Sequence, residues 1–298
     1  MSFSEMAALA FLLLMLYSFL GWCGEMVYCS LGQRKLCEKR GFLNGPICPI
    51  YGHGALLVLL VLDGGCENPA ATFFFGALLT SAVEYFTSFV MEKLFHMRWW
   101  DYSEIRFNLN GRVCLRNSAL FGAACVVLCH GLGPRMTALT VYLVEERNGT
   151  LMAGALFLLY GADVVLSVRS AVQIGSRLEK LHLIHEELAQ KLERLGAEQQ
   201  KAVEIQRARL EEALHSARLG VEERREEAIH AIQSRLEPLG SEFSHRLEAA
   251  RAEAQQRMRA VCEKPDMFEQ RLLSSFPSMR SLRHGEALEK LREYMENR

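Results

Sequence analysis

Three carboxylates lie inside long apolar stretches of the sequence: Glu25, Glu84 and Asp163. A carboxylate left in hydrocarbon costs roughly 2.5–3.5 kcal/mol on insertion scales, so each should face protein, water or a basic partner. Intramembrane acids are typical of substrate or proton pathways. An ion pair that ties a helix to a basic loop explains them equally well. The candidate basic partners are Arg34, Arg40, Arg98, Arg106 and Arg112.

A second polar feature is the segment 41–54, GFLNGPICPIYGHG, which contains four glycines and two prolines. A helix cannot run through it, because Pro46 and Pro49 lack amide donors and bias the preceding residues towards extended backbone. Irregular backbone at membrane depth survives where it lines a cavity or is buried in protein. The segment therefore predicts either a partly re-entrant stretch that carries Asn44 and Tyr51 or an ordinary tight loop outside the bilayer.

A third feature is the string RWWDYS, residues 98–103, together with the polar residues around Gly111. Its aromatic residues Trp99, Trp100 and Tyr102 are typical of a membrane interface. Four polar residues then surround Gly111, and their types are suited to hydrogen bonds with the segment 41–54 or to local turns. They are Asp101, Asn108, Asn110 and Arg112.

The elements that must position these residues are membrane helices, because the charge is distributed unevenly along the 298 residues. The first 170 residues hold 12 Lys and Arg and 12 Asp and Glu, whereas the last 128 hold 22 and 23. About twenty apolar residues cross the ~30 Å of hydrocarbon in a bilayer. The sequence predicts about five spans, near 6–28, 47–62, 69–91, 117–132 and 151–168, with 136–144 at the interface. Residues 1–170 would form this transmembrane domain.

The positive residues of the loops predict the topology. Arg34, Lys35, Lys39 and Arg40 follow the first span, and five basic residues between Lys93 and Arg116 follow the third, whereas the intervening loops hold few or none. The positive-inside rule then places the N-terminus outside and the C-terminal part in the cytoplasm. Counted from the inner end of each span, all three acids fall in the cytoplasmic half.

Several classes of function are disfavoured. A net charge of -1 gives no reason to expect nucleic acid as a partner. No GxxxxGK[ST] string occurs, so any ATP hydrolysis must come from a separate subunit. Only Cys66 lies in a predicted outer loop, and the nine cysteines lack the paired spacing of a zinc site. We expect reduced thiols, no bound metal, no cofactor and no enzymatic activity.

Residues 171–264 predict a long, coiled-coil-like helical region. Its first apolar positions are spaced alternately by three and four residues, which is a heptad pattern: Leu178, Leu181, His185, Leu188, Leu192 and Leu195. A weaker, eleven-residue pattern runs from Phe243 to Val261, and Pro238 should interrupt the helix. This apolar stripe must pack against a partner. The partner is the same chain in a hairpin folded at Pro238, a second copy of the chain, or another protein. Residues 265–298 predict a short helical segment.

Four strings together resemble a known family: FLGWCGE at 19–25, GFLNGPICPIYGHG, the stretch from Glu84 through RWWDYS, and FNLNGRVCL at 107–115. They resemble the bacterial membrane proteins described as putative ABC-transporter type IV, or putative ABC transporter permeases, over about the first 170 residues. The FPSMRSLRHGEALEKL stretch is similar to the tail of longer members. Lys39 departs from the asparagine expected before RGF. The resemblance implies an integral protein of the bacterial inner membrane with a transport role, and it implies no substrate.

Two functions are consistent with these features. The first is a permease-like subunit whose spans surround a cytoplasm-facing polar cavity lined by Glu25, Glu84 and Asp163, with energy from a separate ATPase or an ion gradient. The second is a membrane-anchored coiled-coil scaffold without transport activity, in which the acids only hold helices together and the tail recruits partners. An intramembrane enzyme is disfavoured, because no nucleophile and base stand at a recognisable spacing.

Overall fold

The computed structural model describes residues 1–33, 40–62, 67–146, 148–217, 222–263 and 265–296. Its architecture is all-α, as predicted. The helices are α1 (Phe3–Gln33), α2 (Pro49–Leu62), α3 (Pro69–Phe95), α4 (Leu115–Val127), α5 (Gly133–Glu146), α6 (Gly149–Ala217), α7 (Glu222–Cys262), α8 (Met267–Ser275) and α9 (Gly285–Glu296). Two antiparallel pairs of two-residue strands join β1 (Met97–Arg98) to β4 (Arg280–Ser281) and β2 (Asn108–Leu109) to β3 (Val113–Cys114).

Four of the described helical stretches are long and apolar enough to cross a membrane: Phe3–Leu31, Pro69–Phe95, Leu115–Glu145 and Gly149–Glu212. The predicted span 47–62 is the shorter helix α2, whose 14 residues reach about 21 Å at ~1.5 Å per residue. The segment 136–144, predicted to lie at the interface, is not separate from the fourth predicted span. A π-helical turn, Leu128–Leu132, joins α4 directly to α5, so this stretch continues the fourth predicted span.

Close helix packing in the membrane part depends on glycine. At Gly52 of α2 an added Cβ would overlap the Ser18 hydroxyl and the Leu14 carbonyl of α1, and at Gly122 of α4 it would lie 2.8 Å from the Phe73 carbonyl oxygen of α3. Small residues allow membrane helices to approach closely where lipid supplies no hydrophobic driving force. In the segment 41–54, Gly52 therefore serves helix packing, whereas Gly41, with a φ of 102°, serves the irregular backbone.

The chain divides into two compact units. The first contains Met1–Ser176 and Pro265–Arg298, and the second contains Arg177–Lys264. The predicted boundaries at 170 and 265 lie near these limits, but residues 265–298 belong to the membrane unit. In that unit β4 pairs with β1, and the side chains of Met97, Met279 and Leu291 are fully buried.

The second unit is an antiparallel helical hairpin of α6 and α7. Exposed ion pairs join Glu187 to Arg257 at 2.6 Å, Lys191 to Glu253 at 2.8 Å and Glu198 to Arg246 at 3.5 Å. Each step along α6 towards Ala217 is matched by an equal step back along α7, so the two helices are antiparallel.

Two details of the tail prediction were wrong. Pro238 lies inside α7, which begins at Glu222 and runs antiparallel to α6, so the hairpin is not folded at Pro238. Pro238 lies on an exposed face, and it did not end the helix. The pairing of the two helices along their length, and not this proline, sets their antiparallel register. In the seam of α6 the buried residue is Ile184 and not His185, because the apolar neighbour fits the same helical turn.

Candidate functional site

Glu84 of α3 is the most deeply buried of the three acids, with 6% of its surface exposed. The Tyr102 hydroxyl donates a hydrogen bond to Glu84 Oε1 at 3.3 Å. Glu84 Oε2 is buried and has no hydrogen-bond partner among the described residues. One oxygen of this carboxyl group is therefore satisfied and the other is not.

Glu25 of α1 has a similar partner. The hydroxyl of Tyr51, near the start of α2, donates a short hydrogen bond to Glu25 Oε2. The position of the Tyr51 side chain depends on Gly21, because an added Cβ there would overlap the tyrosine ring. Phe121 of α4 packs edge to face on the other side at 6.1 Å between ring centroids.

These two pairs lie near each other. Burial raises the pKa of Tyr102, and the negative charges of Glu84 and Glu25 raise it further. A charge affects a pKa in this way only when it lies nearby. We call Glu25, Tyr51, Glu84 and Tyr102 the carboxylate–tyrosine cluster. It joins α1, α2, α3 and the loop between α3 and α4.

Asp163 of α6 lies elsewhere and holds a loop. Its Oδ1 accepts hydrogen bonds from the backbone N–H and the side-chain amide of Asn44 at 2.9 and 2.8 Å, and its Oδ2 accepts one from the N–H of Gly45 at 2.7 Å. Ser167, one turn further along α6, donates to Asp163 Oδ1 at 3.3 Å. The carboxylate thus satisfies backbone donors that irregular structure leaves without partners.

A cavity of about 490 Å³ lies among α1, α5, α6 and the segment 45–47. Asp163, Thr140 and Tyr160 contribute to its wall, and the remaining lining is mostly apolar. The prediction that Glu25, Glu84 and Asp163 line one polar cavity does not match this cavity, which Glu25 and Glu84 do not line. The prediction rested on depth along each helix, which says nothing about the direction in which a side chain points.

The predicted ion pairs are also not observed in the described residues. Glu25, Glu84 and Asp163 are held by tyrosine hydroxyl, amide and backbone donors, and no described Lys or Arg lies within 4.0 Å of their oxygens. Arg34 lies outside the described residues, as do Lys35, Lys39, Cys37 and Cys66. The arginines 98 and 112 instead pair with Glu92 of α3 at 3.2 and 2.8 Å.

Of the two alternatives for the four polar residues around Gly111, local turns and bonds to the segment 41–54, the described contacts favour local turns, with further bonds to α3 and from Asp101 to Arg280. Asn108 binds backbone groups of residues 103, 105 and 111, and Asn110 donates to the hydroxyl of Tyr85 at 2.9 Å. Arg112 also contacts Tyr85. Asp101 accepts two hydrogen bonds from Ser103. Turn chemistry is satisfied locally, and Gly111, with a φ of 69°, allows this turn.

The partner of the segment 41–54 that the sequence did not predict is the C-terminal segment. Arg271 of α8 donates to the carbonyl oxygens of Gly41 and Phe42 at 3.1 and 2.8 Å. Arg40 donates to the carbonyl oxygen of Ser275 at 3.2 Å. The segment contains two prolines. Pro46 is exposed beside the cavity, and Pro49 is the first residue of α2.

An aromatic contact reinforces the docking of the C-terminal segment. Trp99 is 2% exposed, and its ring packs edge to face on Phe42, Phe95 and Phe276 at centroid distances of 5.2, 5.7 and 5.2 Å. The belt interpretation of Trp99 was therefore incomplete, because its indole is buried in protein. The part of the sequence that could have indicated this contact is the string FPSMRSL, which contains Phe276.

The described cysteines and histidines give no indication of a metal centre. The described residues contain no group of three or more His, Cys, Asp or Glu side chains placed to hold a metal ion. The cysteines at 23, 29, 48, 114, 125, 129 and 262 are not joined to one another. His130, in the π-helical turn, makes a 3.0 Å hydrogen bond with Thr72 of α3. A helix-to-helix tie explains this histidine without a ligand.

Comparison with known protein families shows where the chain belongs. The model of the family described as putative ABC-transporter type IV matches residues 12–168, which is more than half of the chain. These residues contain the carboxylate–tyrosine cluster, Asp163 and the cavity. No curated protein and no solved structure matches.

Proposed function

The chain belongs to the putative ABC-transporter type IV family, and on this premise we propose that it is a permease-like membrane subunit with no ATPase of its own. The observation that carries the proposal is the position of the 490 Å³ cavity, which is formed by helices of the matched region. Ligand sites are typically cavities of about 300–1,000 Å³ with mostly apolar walls and a few polar groups. Apolar walls suit an apolar or amphipathic substrate.

Energy would come from a separate ATPase or from an ion gradient, and this chain would carry no catalytic residue. The proposed location is the bacterial inner membrane, with the N-terminus outside and the C-terminus in the cytoplasm. The C-terminal segment supports this orientation, because it contacts residues 40–42 and 96–101, which belong to the two loops rich in Lys and Arg. Contacts of the C-terminal segment with both loops support a common side for all three, and the positive-inside rule favours the cytoplasm for that side.

The test fills the cavity in the full-length protein. Leu156 lines the cavity, whereas Leu158, two residues along α6, is 73% exposed. The readout is whichever cellular activity is lost when the gene is deleted, and the two variants are compared at equal abundance in the membrane. Leu156→Trp should abolish this activity, and Leu158→Trp should preserve it. An ATPase that co-purifies in mild detergent should be recovered with both variants. Full activity of Leu156→Trp, or the absence of both an ATPase and an ion requirement, would contradict the proposal.

A scaffold is the second candidate, and the hairpin favours it. The hairpin lies outside the matched residues 12–168 and exposes large apolar side chains such as Leu183 and Ile205. Charged substitutions at these two positions should leave a permease active and should remove a specific partner from a scaffold. If the variants keep normal cellular activity but lose the partner, the hairpin recruits that partner and is not needed for the activity.

A further inference from the structure

The unpartnered oxygen of Glu84 is the starting point. Glu84 is 94% buried by its 6% exposure, and its Oε2 has no hydrogen-bond partner in the described part of the chain. A buried polar group without a partner costs about 1–3 kcal/mol, and more when it is charged. Buried polar atoms of this kind call for an explanation such as an unseen ion.

The surroundings of Glu84 add negative charge and oxygen atoms. The Tyr102 hydroxyl, from the loop after α3, donates to Glu84, and the Tyr51 hydroxyl of α2 donates to Glu25 of α1. The charge of Glu25 acts on both Glu84 and Tyr102, and Cys48 and Cys114 act electrostatically on Tyr51 and Tyr102 in turn. No described Lys or Arg within 4.0 Å neutralises either carboxylate. Two acids close together in a low-dielectric site favour the uptake of a positive charge.

We infer that the carboxylate–tyrosine cluster binds one small monovalent cation, with Glu84 Oε2 as its first ligand. Both tyrosine hydrogens point to carboxylate oxygens, so each hydroxyl oxygen keeps lone pairs for the bound cation. Oxygen ligands select hard cations. The biological use of the site, coupling to an ion gradient, rests on the proposed function, whereas binding itself does not.

The ligand chemistry is a single positive charge, which a proton or an alkali ion can supply. The described residues contain no group of three or more His, Cys, Asp or Glu side chains placed to hold a metal ion, so we assign a single charge to the site and not a divalent ion. The experiment therefore has two arms, one for each source of charge, and both use the purified full-length protein in detergent.

The alkali arm measures binding of Na⁺ and of K⁺ by calorimetry against choline chloride. The proton arm measures the carbonyl stretching band of a protonated carboxylic acid by infrared difference spectroscopy at neutral pH. Glu84→Gln keeps the shape of the side chain and should weaken alkali binding about tenfold or more, or remove the protonated band. Glu67→Gln is the matched control, because Glu67 is exposed and precedes α3, in which Pro69 and Glu84 are about 22 Å apart at ~1.5 Å per residue.

Tyr102→Phe is the second variant and removes one ligand without changing a charge. It should weaken the same signal, so the inference stays testable if Glu84→Gln does not fold. Loss of either signal in Glu84→Gln but not in Glu67→Gln supports the site and identifies the ion. A wild-type protein with neither signal, or signals unchanged in a folded Glu84→Gln, overturns it. None of these readouts requires transport, so a negative result for the cavity leaves this test intact.

Discussion

Asp163 of α6 and Arg271 of α8 hold the same loop from its two ends. Asp163 accepts the N–H groups of Asn44 and Gly45, and Arg271 donates to the carbonyl oxygens of Gly41 and Phe42. Burial lowers the pKa of Arg271, and the carboxylate of Asp163 acts in the opposite direction. An acid and a base thus fix a stretch of backbone that has no regular secondary structure.

The first prediction concerns Asp163, which accepts hydrogen bonds from the backbone of residues 44 and 45. Asp163→Ala leaves the backbone donors of residues 44 and 45 without their acceptor, and we expect a loss of about 1–3 kcal/mol in stability. Thermal unfolding of the full-length protein in detergent measures it. Glu145→Gln, at an exposed position of α5, should change little. Equal melting temperatures for the Asp163 variant and the wild type would refute the role of Asp163 as an anchor.

The second prediction concerns the basic end. Arg271→Lys keeps the charge but cannot reproduce a planar fork that reaches two carbonyl oxygens at once. Hydrogen exchange should therefore accelerate in residues 41–48 and in α8, with little change in α3. Arg283→Lys, at an exposed position, is the control. Unchanged protection in both segments would show that the aromatic contacts alone hold the C-terminal segment.

The third prediction is a pH dependence of this docking. Burial raises the pKa of Asp101, but hydrogen bonds from Ser103 and the charges of Arg280 and Arg98 outweigh it, so the pKa lies below its ordinary value. The folded state therefore binds fewer protons than the unfolded state, and stability falls as pH drops through that lowered pKa. We expect about 1 kcal/mol, because the partner Arg280 is half-exposed.

Limited proteolysis of the C-terminal segment between pH 6 and pH 3 measures this effect, with a pepsin-type protease active at low pH. Asp101→Asn should release the segment more readily at pH 6 and should flatten the pH dependence. A pH profile that is identical in Asp101→Asn and the wild type would assign the acid sensitivity to another group.

The fourth prediction tests whether the hairpin pairs within one chain. The Lys191 amine lies 2.8 Å from a Glu253 carboxylate oxygen, so a zero-length carbodiimide should couple them. In a mixture of ¹⁴N- and ¹⁵N-labelled protein, coupled peptides should carry one isotope on both halves. Coupled peptides of mixed isotope would show that α6 pairs with α7 of a second copy. Lys201, which has no ion pair in the described structure, should couple little.

Sequence reasoning located the membrane helices and the acids because apolar length and a charge within it are local signals. It did not identify the partners of the acids, since those depend on tertiary packing. Tyr51 is 26 residues from Glu25, and Asn44 is 119 residues from Asp163. The acids nonetheless face protein, as the cost of burying charge in lipid requires.

The docking of the C-terminal segment was out of reach for a related reason. The strands β1 and β4 have two residues each, too short for an alternating pattern. The hairpin prediction failed at Pro238 because a proline signals a local preference, whereas the turn position depends on the register of pairing along both helices.

The bond between Arg40 and Ser275 closes a loop of 235 residues. During synthesis at about 5–20 residues per second, the ribosome needs on the order of ten seconds or more to supply the last piece of the membrane unit. Until then Trp99 and Met97 stand uncovered beside the newly inserted helices. A prematurely terminated chain would keep that apolar surface permanently, which gives quality-control proteases a direct means of recognising it.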